Sequence, residues 1–122
     1  MTFYSPAQAS EKTGFSIDTL RYYEKIGLLD RIDRTAAGRR RFSSDDVGFL
    51  GVLRCLRDTG MPIVEMRRYA ELARGGAETV GERVAVLETH DERIDRQIEA
   101  LRAQQQHLRD KIRYYRESFD VD

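Results

Sequence analysis

The sequence has few of the features that mark secreted and membrane proteins. It contains one cysteine, Cys55, which excludes an intrachain disulfide and favours a reducing compartment. No run approaches the ~18 consecutive apolar residues that a membrane-spanning helix needs. The N-terminus has neither a basic stretch nor an apolar core, so we expect no secretory signal. The sequence therefore predicts a cytoplasmic protein without a membrane partner.

The patterns that carry catalysis are missing as well. We find no carboxylate pair and no nucleophile–base arrangement, and Gly75-Gly76 lacks the lysine of a phosphate-binding loop. These absences predict a protein that is not an enzyme and that has no cofactor. Hydrophobic residues make up 40% of the chain and charged residues 34%, a mixture typical of a folded protein rather than a disordered one.

Charge is distributed unevenly along a chain whose net charge is zero. Residues 1–75 carry 13 Lys/Arg against 10 Asp/Glu, a net of +3, whereas residues 76–122 carry 8 against 11, a net of −3. The segment Arg31–Arg41 alone has five arginines and one acid. This asymmetry predicts a surface that attracts phosphate in the N-terminal half.

Helix start and stop signals divide the N-terminal part into short helices. Ser5 is the predicted N-cap of a first helix, which ends at Gly14. Ser16 is the predicted N-cap of a second helix over 17–26, which stops at Gly27. Two short helices joined by a tight turn are typical of a helix-turn-helix.

A β-hairpin and a second helix pair are predicted to follow. The hairpin covers 28–42, and a third helix begins near Ser43. One apolar face of that helix is predicted to consist of Phe49, Val52, Leu53 and Leu56. A fourth helix begins at Pro62 and ends before Gly75, where the predicted second domain, 76–122, starts.

The C-terminal segment has the most regular pattern. Apolar positions alternate by four and three residues from Val80 to Phe119, interrupted only by Asp91 and Gln105, which both occupy heptad position a when Val84 is an a. A helix of this length is ~60 Å long, and so narrow a seam needs a partner helix. We therefore predict a homodimer whose seam includes Val84, Leu87, Ile94, Ile98, Leu101, Leu108, Ile112 and Tyr115.

Three motifs in this order resemble those of the MerR family of transcription regulators. The segment 19–29, TLRYYEKIGLL, is similar to the family's recognition-helix signature. The segment 38–43, GRRRFS, resembles its wing motif, and 56–63, LRDTGMPI, resembles the motif between its third and fourth helices. The resemblance implies a mainly α protein with a winged helix-turn-helix DNA-binding domain over 1–75 and a coiled-coil dimerisation helix over 76–122, antiparallel in the dimer.

The resemblance also implies a mode of action. Dimers of this family bind double-stranded promoter DNA whose elements are too widely spaced for RNA polymerase, and they act by bending and untwisting that DNA, so that contact with polymerase is indirect. The face presented to DNA by the second helix is predicted to contain Ser16, Asp18, Thr19, Arg21 and Tyr22. Arg21 either reads a guanine edge or clamps a phosphate, and the alternative for Arg21 and Tyr22 is a solvated helix face.

Arginines of the hairpin and one tyrosine complete the predicted DNA contacts. Arg39, Arg40 and Arg41 are expected to contact phosphates, although strand alternation sends Arg40 to the opposite face from its two neighbours. Tyr69 is assigned either a phosphate contact or a packing role.

Cys55 is the remaining candidate for a residue that senses a signal. The chain ends at Asp122, soon after the predicted coiled coil, so we expect no effector domain. The cysteines that bind metal in metal-sensing relatives are missing. His90 and His107 are predicted to be surface residues without a metal. The surroundings of Cys55 resemble the NmlR/AdhR subfamily, which implies a response to aldehydes and other electrophiles. Arg54 and Arg57 favour a thiolate there, whereas Asp58 opposes it.

Two alternatives remain at this point. In the first, the protein is a MerR-like repressor or activator without thiol sensing, and Cys55 is a small buried hydrophobic residue. In the second, the chain is a coiled-coil interaction module whose small head binds protein rather than DNA.

Overall fold

The structure, a computed structural model, describes residues 2–121. It contains two short strands, β1 (Phe3–Tyr4) and β2 (Phe42–Ser43), and five α-helices. The helices are α1 (Pro6–Thr13), α2 (Ile17–Lys25), α3 (Ser44–Asp58), α4 (Ile63–Arg74) and α5 (Val80–Phe119). A 3-10 turn, Gly76–Thr79, connects α4 to α5. The mainly helical fold class is confirmed.

The predicted helix caps are present. Ser5 accepts a hydrogen bond from the backbone N–H of Gln8 and forms a capping box with it. Ser43 forms the same arrangement with Asp46 at the start of α3. Gly14 ends α1 with φ near +79°, a left-handed conformation that glycine adopts without a steric cost. These local signals explain why the predicted boundaries of α1 and α3 match the observed ones closely.

The sheet differs from the predicted hairpin. β1 and β2 pair antiparallel, with Phe3 opposite Ser43 and Tyr4 opposite Phe42, and the sequence did not predict β1. The hairpin between α2 and β2 contains a single antiparallel bridge, Arg34 to Arg40, around a turn at Gly38. The wing is therefore a tight turn, and the paired strands lie at its base.

The first compact unit of the chain, which ends at Val84 and is called the head below, has its core among α1 to α4. Phe15, Leu20, Leu50, Leu53 and Met66 are essentially inaccessible to solvent. On α3 the predicted face was partly wrong, since Leu50 is buried and Val52 is 37% exposed. Helices α1 and α4 and strand β2 all contact α3, and this packing selects the side of α3 that contains Leu50.

The chain divides into two compact units, one ending at Val84 and the other starting at Ala85. The second unit consists of most of α5, whose 40 residues are helical without interruption, as predicted. His90 is buried, with 3% exposure, so the prediction of a surface histidine was wrong. The domain boundary after residue 75 stays a prediction.

Candidate nucleic-acid interface

Helix α2 presents one polar face because its other face is fixed in the core. Leu20 and Tyr23 are buried, and the Tyr23 ring meets the Phe15 ring edge-on at 5.1 Å. The opposite side carries Asp18, Arg21 and Tyr22, all exposed. Tyr22 is 54% exposed, and although its ring lies 6.3 Å from that of Tyr23, about half of the side chain faces solvent.

The N-terminal end of α2 is capped by two of the predicted contact residues. The backbone N–H of Thr19 donates to the Ser16 hydroxyl at 3.1 Å, and that hydroxyl donates to the side-chain oxygen of Thr19 at 2.9 Å. Arg21 lies only loosely beside Asp18, at 3.9 Å. Because Arg21 is exposed and weakly held, its guanidinium is available for a base edge or a phosphate.

The C-terminal end of α2 is held by α4. Arg74, in the last turn of α4, donates a hydrogen bond to the carbonyl of Gly27 and lies 3.8 Å from the Asp30 carboxylate. Gly27 has φ near +82° and ends the turn that follows α2. Helix α2 is thus capped at its N-terminal end and tied to α4 at its C-terminal end.

The wing is shaped by backbone hydrogen bonds. The N–H of Thr35 donates to the carbonyl of Arg39 at 2.8 Å, and the N–H of Arg41 donates to that of Asp33 at 2.9 Å. Gly38 adopts φ near +83° at the tip, and its carbonyl accepts from Arg34 at 3.0 Å.

The three predicted wing arginines have different surroundings. Arg39 is exposed. Arg40 points back to the head and donates from Nε to the Glu24 carboxylate at 2.8 Å. Arg41 pairs with Asp33 at 2.7 Å, and its guanidinium lies 4.1 Å from the centre of the Phe3 ring. Arg40 is therefore turned toward α2, whereas Arg39 is exposed and Arg41 pairs with a residue of the wing.

Glu24 connects α2 to the wing. One carboxylate oxygen accepts from Arg40 and the other accepts from the backbone N–H of Ile32 at 3.0 Å. Burial acts to raise the pKa of Glu24, but the hydrogen bonds from Arg40 and Ile32 and the positive charge of Arg40 outweigh it, and the pKa is lowered. Asp33 also has a lowered pKa, because Arg41 and then the N–H of Arg34 hydrogen-bond to its carboxylate.

A positively charged cleft of about 510 Å³ lies between α2 and the wing. Four arginines line it: Arg21, Arg34, Arg39 and Arg40. Sequence reasoning assigned no role to Arg34 or Glu24. The repeated wing arginines were a sufficient signal for Arg34, whereas the Glu24 contacts join residues far apart in sequence.

Tyr69 lies away from this cleft. Its ring stacks on Phe49 with the centroids 6.0 Å apart, and it is 8% exposed. These contacts account for a packing role, and the predicted phosphate contact stays a prediction.

Cys55 is exposed on α3, which argues against the alternative of a buried structural cysteine. Its backbone carbonyl accepts from the Thr59 hydroxyl at 2.7 Å. Of the two neighbouring arginines, Arg54 pairs with Asp58 at 2.7 Å, and both Arg54 and Arg57 lie 5.5 Å from the Phe15 ring. Cys55 therefore lies on the same helix as two arginines that pack near the start of α2.

The predicted seam is exposed along α5 in the single chain. Ile98, Leu101, Leu108, Ile112 and Tyr115 are between 40% and 70% exposed. Leu87 and Ile94 are half-buried, and Val84 is 45% exposed. Within residues 2–121, no helix is long and apolar enough to cross a membrane, and no group of three or more His, Cys, Asp or Glu side chains is arranged to hold a metal ion.

These features define a winged helix-turn-helix protein with a basic surface. Residues 4–72 match the family of MerR HTH regulatory proteins, and residues 49–111 match the family described as MerR, DNA binding. The chain belongs to the MerR family. It is a DNA-binding transcription regulator and not an enzyme.

Several relatives are known by sequence and by structure. An uncharacterised HTH-type transcriptional regulator of Haemophilus influenzae is 36% identical over 94% of this chain and 85% of its own length. AdhR of Bacillus subtilis is 31% identical over 72% of this chain, which spans 63% of AdhR. The crystal structure of HiNmlR, a MerR family regulator lacking the sensor domain and bound to promoter DNA, superposes with a TM-score of 0.86 at 35% identity, covering 98% of this chain and 95% of HiNmlR.

Proposed function

We propose that the protein is a homodimeric, cytoplasmic regulator that binds a promoter and changes transcription by distorting the DNA. The observation that carries this proposal is the exposed polar face of α2 beside the arginine-lined cleft, in a fold that superposes on a regulator bound to promoter DNA. Helix α2 enters the major groove, and the wing contacts the adjacent phosphates. RNA polymerase is affected indirectly, through the altered geometry of the promoter.

The two contact surfaces have different tasks. Arg21 and Tyr22 face the bases, since they project from the exposed side of α2. Arg39 and Arg41 provide phosphate contacts, which contribute affinity and salt dependence more than sequence choice. Arg40 instead fixes the wing to α2 through Glu24.

Binding is tested by fluorescence anisotropy with DNA from upstream of the gene and with a scrambled duplex. We expect Arg21→Ala to reduce the preference for the specific duplex and Arg39→Ala to weaken both complexes. Lys12→Ala provides a charge-matched control on α1, outside the cleft. Binding that is insensitive to salt and to Arg21→Ala would instead favour the coiled-coil module whose head binds protein.

We further propose that aldehydes or related electrophiles act through Cys55. The thiol is exposed on α3, and the same helix carries Arg54 and Arg57, whose guanidinium groups lie 5.5 Å from the Phe15 ring, just before α2. Modification of Cys55 therefore changes packing close to the recognition helix, and the resemblance to the NmlR/AdhR subfamily supports this use.

A reporter driven by the regulated promoter tests the sensor. Formaldehyde and methylglyoxal are expected to change the output of the native protein and to leave that of Cys55→Ser unchanged. An equal response in both would support the alternative, a MerR-like regulator in which Cys55 has no sensing role. Mass spectrometry of the treated protein identifies the adduct independently.

A further inference from the structure

Ile17 is an apolar side chain on a surface that is otherwise polar and basic. It is the first residue of α2, directly after the Ser16 N-cap, and it is 37% exposed. Its exposed neighbours on the same helix, Asp18 and Arg21, are charged. Only polar side chains of α2 were predicted to contact bases, and Ile17 was not among them.

The cleft between α2 and the wing has apolar walls as well as arginines. Ile17, Pro6 and Ala7 line it, and the buried side chains of Leu20 and Phe42 form its floor. The arginines attract phosphate, but an anion gains nothing from an apolar wall, where it loses water without gaining a hydrogen bond. The apolar part of the cleft therefore suits an apolar group that arrives beside a phosphate.

DNA presents such a group in its major groove. The C5-methyl of thymine is the distinct apolar group among the donors and acceptors of the base edges there. It stands at the outer edge of the base, next to the backbone of its own strand, so it enters the cleft together with a phosphate. Recognition helices contact base edges with their N-terminal residues, and Ile17 occupies the first position of α2.

The spacing between Ile17 and Arg21 limits where the thymine lies. Residues four apart are neighbours on one side of a helix, with a rise between them of ~6 Å, and both of these side chains line the cleft. Base pairs follow each other at ~3.4 Å along DNA. The thymine is therefore expected within about two base pairs of the nucleotide that Arg21 contacts.

We propose that Ile17 is a specificity-determining residue, which recognises one thymine in each half of the operator by van der Waals contact with its C5-methyl group. The inference rests on the promoter binding proposed above and adds a base that is read and the group by which it is read. Deoxyribose carbons are the competing apolar partner. They are present at every nucleotide, so contact with them contributes no sequence preference.

Removal of single methyl groups from the DNA tests the proposal with the native protein. Footprinting locates the bound region upstream of the gene, and each thymine in it is replaced in turn by deoxyuridine, which lacks only the methyl group. We expect one thymine in each half-site whose replacement weakens binding about fourfold, the equivalent of ~0.8 kcal/mol for one buried carbon. Replacement in both half-sites should weaken binding about fifteenfold.

The outcomes of this scan separate the two proposals. If the native protein prefers the upstream duplex and no uracil replacement weakens the complex, the role of Ile17 is overturned while promoter binding stands. A native protein that binds the upstream duplex no better than a scrambled one overturns the proposed function as well.

Variants of Ile17 assign the methyl contact to this side chain. Ile17→Ala should bind the thymine duplex about as weakly as the native protein binds the uracil duplex, and it should lose nothing further with uracil. Ile17→Val keeps most of the apolar contact and should stay sensitive to uracil. Full sensitivity to uracil in Ile17→Ala would assign the methyl to another residue and overturn the inference. Urea denaturation verifies that the variants are folded, and the scan with the native protein does not depend on them.

Val64 offers a matched control. It is the second residue of α4, it is 74% exposed, and it does not line the cleft. Val64→Ala truncates an exposed β-branched side chain near a helix N-terminus, as Ile17→Ala does. We expect this variant to bind DNA and to respond to uracil as the native protein does. An equal loss of uracil sensitivity in Val64→Ala would show that the effect is not specific to Ile17, and would overturn the inference.

Discussion

The replacement Glu24→Gln tests whether one carboxylate holds the wing against the recognition helix. The two oxygens of Glu24 accept from two different donors, Arg40 and the N–H of Ile32, and the Glu24 and Arg40 side chains are only 18% and 25% exposed. Glutamine has a single oxygen, so one of these donors meets an NH2 group instead of an acceptor. Hydrogen bonds to charged groups contribute about 1.5–3 kcal/mol, and we expect the free energy of unfolding to fall by about 2 kcal/mol.

DNA affinity should fall with it, because the wing has to be ordered when DNA binds. Immobilising a side chain on binding costs about 0.5–1.5 kcal/mol, so a loosened wing weakens binding by roughly three- to tenfold. Urea denaturation followed by circular dichroism measures stability, and anisotropy measures affinity. The control is Glu11→Gln, an exposed carboxylate on α1. A loss of stability no greater than that of the control would refute the assigned role of Glu24.

The same residue predicts a pH dependence. The pKa of Glu24 is lowered in the folded protein, so its contribution to stability is present above the usual value of 4.5 and is lost as the pH falls through the folded value. The difference in stability between the native protein and Glu24→Gln should therefore be largest near neutral pH and shrink below about pH 4.5. A difference that grows in acid would contradict the lowered pKa.

Three further replacements test other contacts. Arg39→Ala should reduce the slope of log affinity against log salt by about 1, because it removes one phosphate contact. Anisotropy at several salt concentrations measures the slope, and an unchanged slope would show that Arg39 does not contact a phosphate. Tyr69→Ala should destabilise the head by about 3–5 kcal/mol, measured by urea denaturation, whereas Tyr69→Phe keeps the stack on Phe49. If Tyr69→Phe has native stability but lower DNA affinity, the Tyr69 hydroxyl contacts DNA. Gly38→Ala should cost about 1–2 kcal/mol, because φ near +83° is strained for alanine; equal stability would mean that the wing rebuilds its turn.

Local signals made the helices of this protein predictable. A serine N-cap accepts a hydrogen bond from a residue three positions away. The caps at Ser5, Ser16 and Ser43 are therefore predictable from a few adjacent residues. The heptad of α5 repeats over 40 residues, and its bounds match the predicted seam. In both cases the deciding interactions are between residues close in sequence or in a regular series.

Contacts between distant segments made other features unpredictable. Strand β1 has two residues and no measurable period, and it exists because Ser43 pairs with Phe3 and Phe42 pairs with Tyr4, from 40 and 38 positions away. The buried side of α3 is chosen by three different elements, so the periodicity of α3 alone favoured Val52 over Leu50.

The site shows the same division. The exposed face of α2 followed from the motif, whereas Arg40 lines the same cleft as Arg39, although strand alternation predicted opposite faces for them. The destination of Arg40, however, is a carboxylate 16 positions earlier in the chain, and no local pattern identifies it. The motif therefore indicated which residues of α2 are exposed better than it indicated which residues hold the wing in place.

Arg74 couples the end of α4 to the end of α2, so these two helices do not move independently. It hydrogen-bonds to the carbonyl of Gly27 from the last turn of α4, a few residues before α5 begins. A rotation of the end of α4 therefore either carries the end of α2 with it or breaks this joint. The orientation of the C-terminal end of α2 is therefore coupled to that of α4.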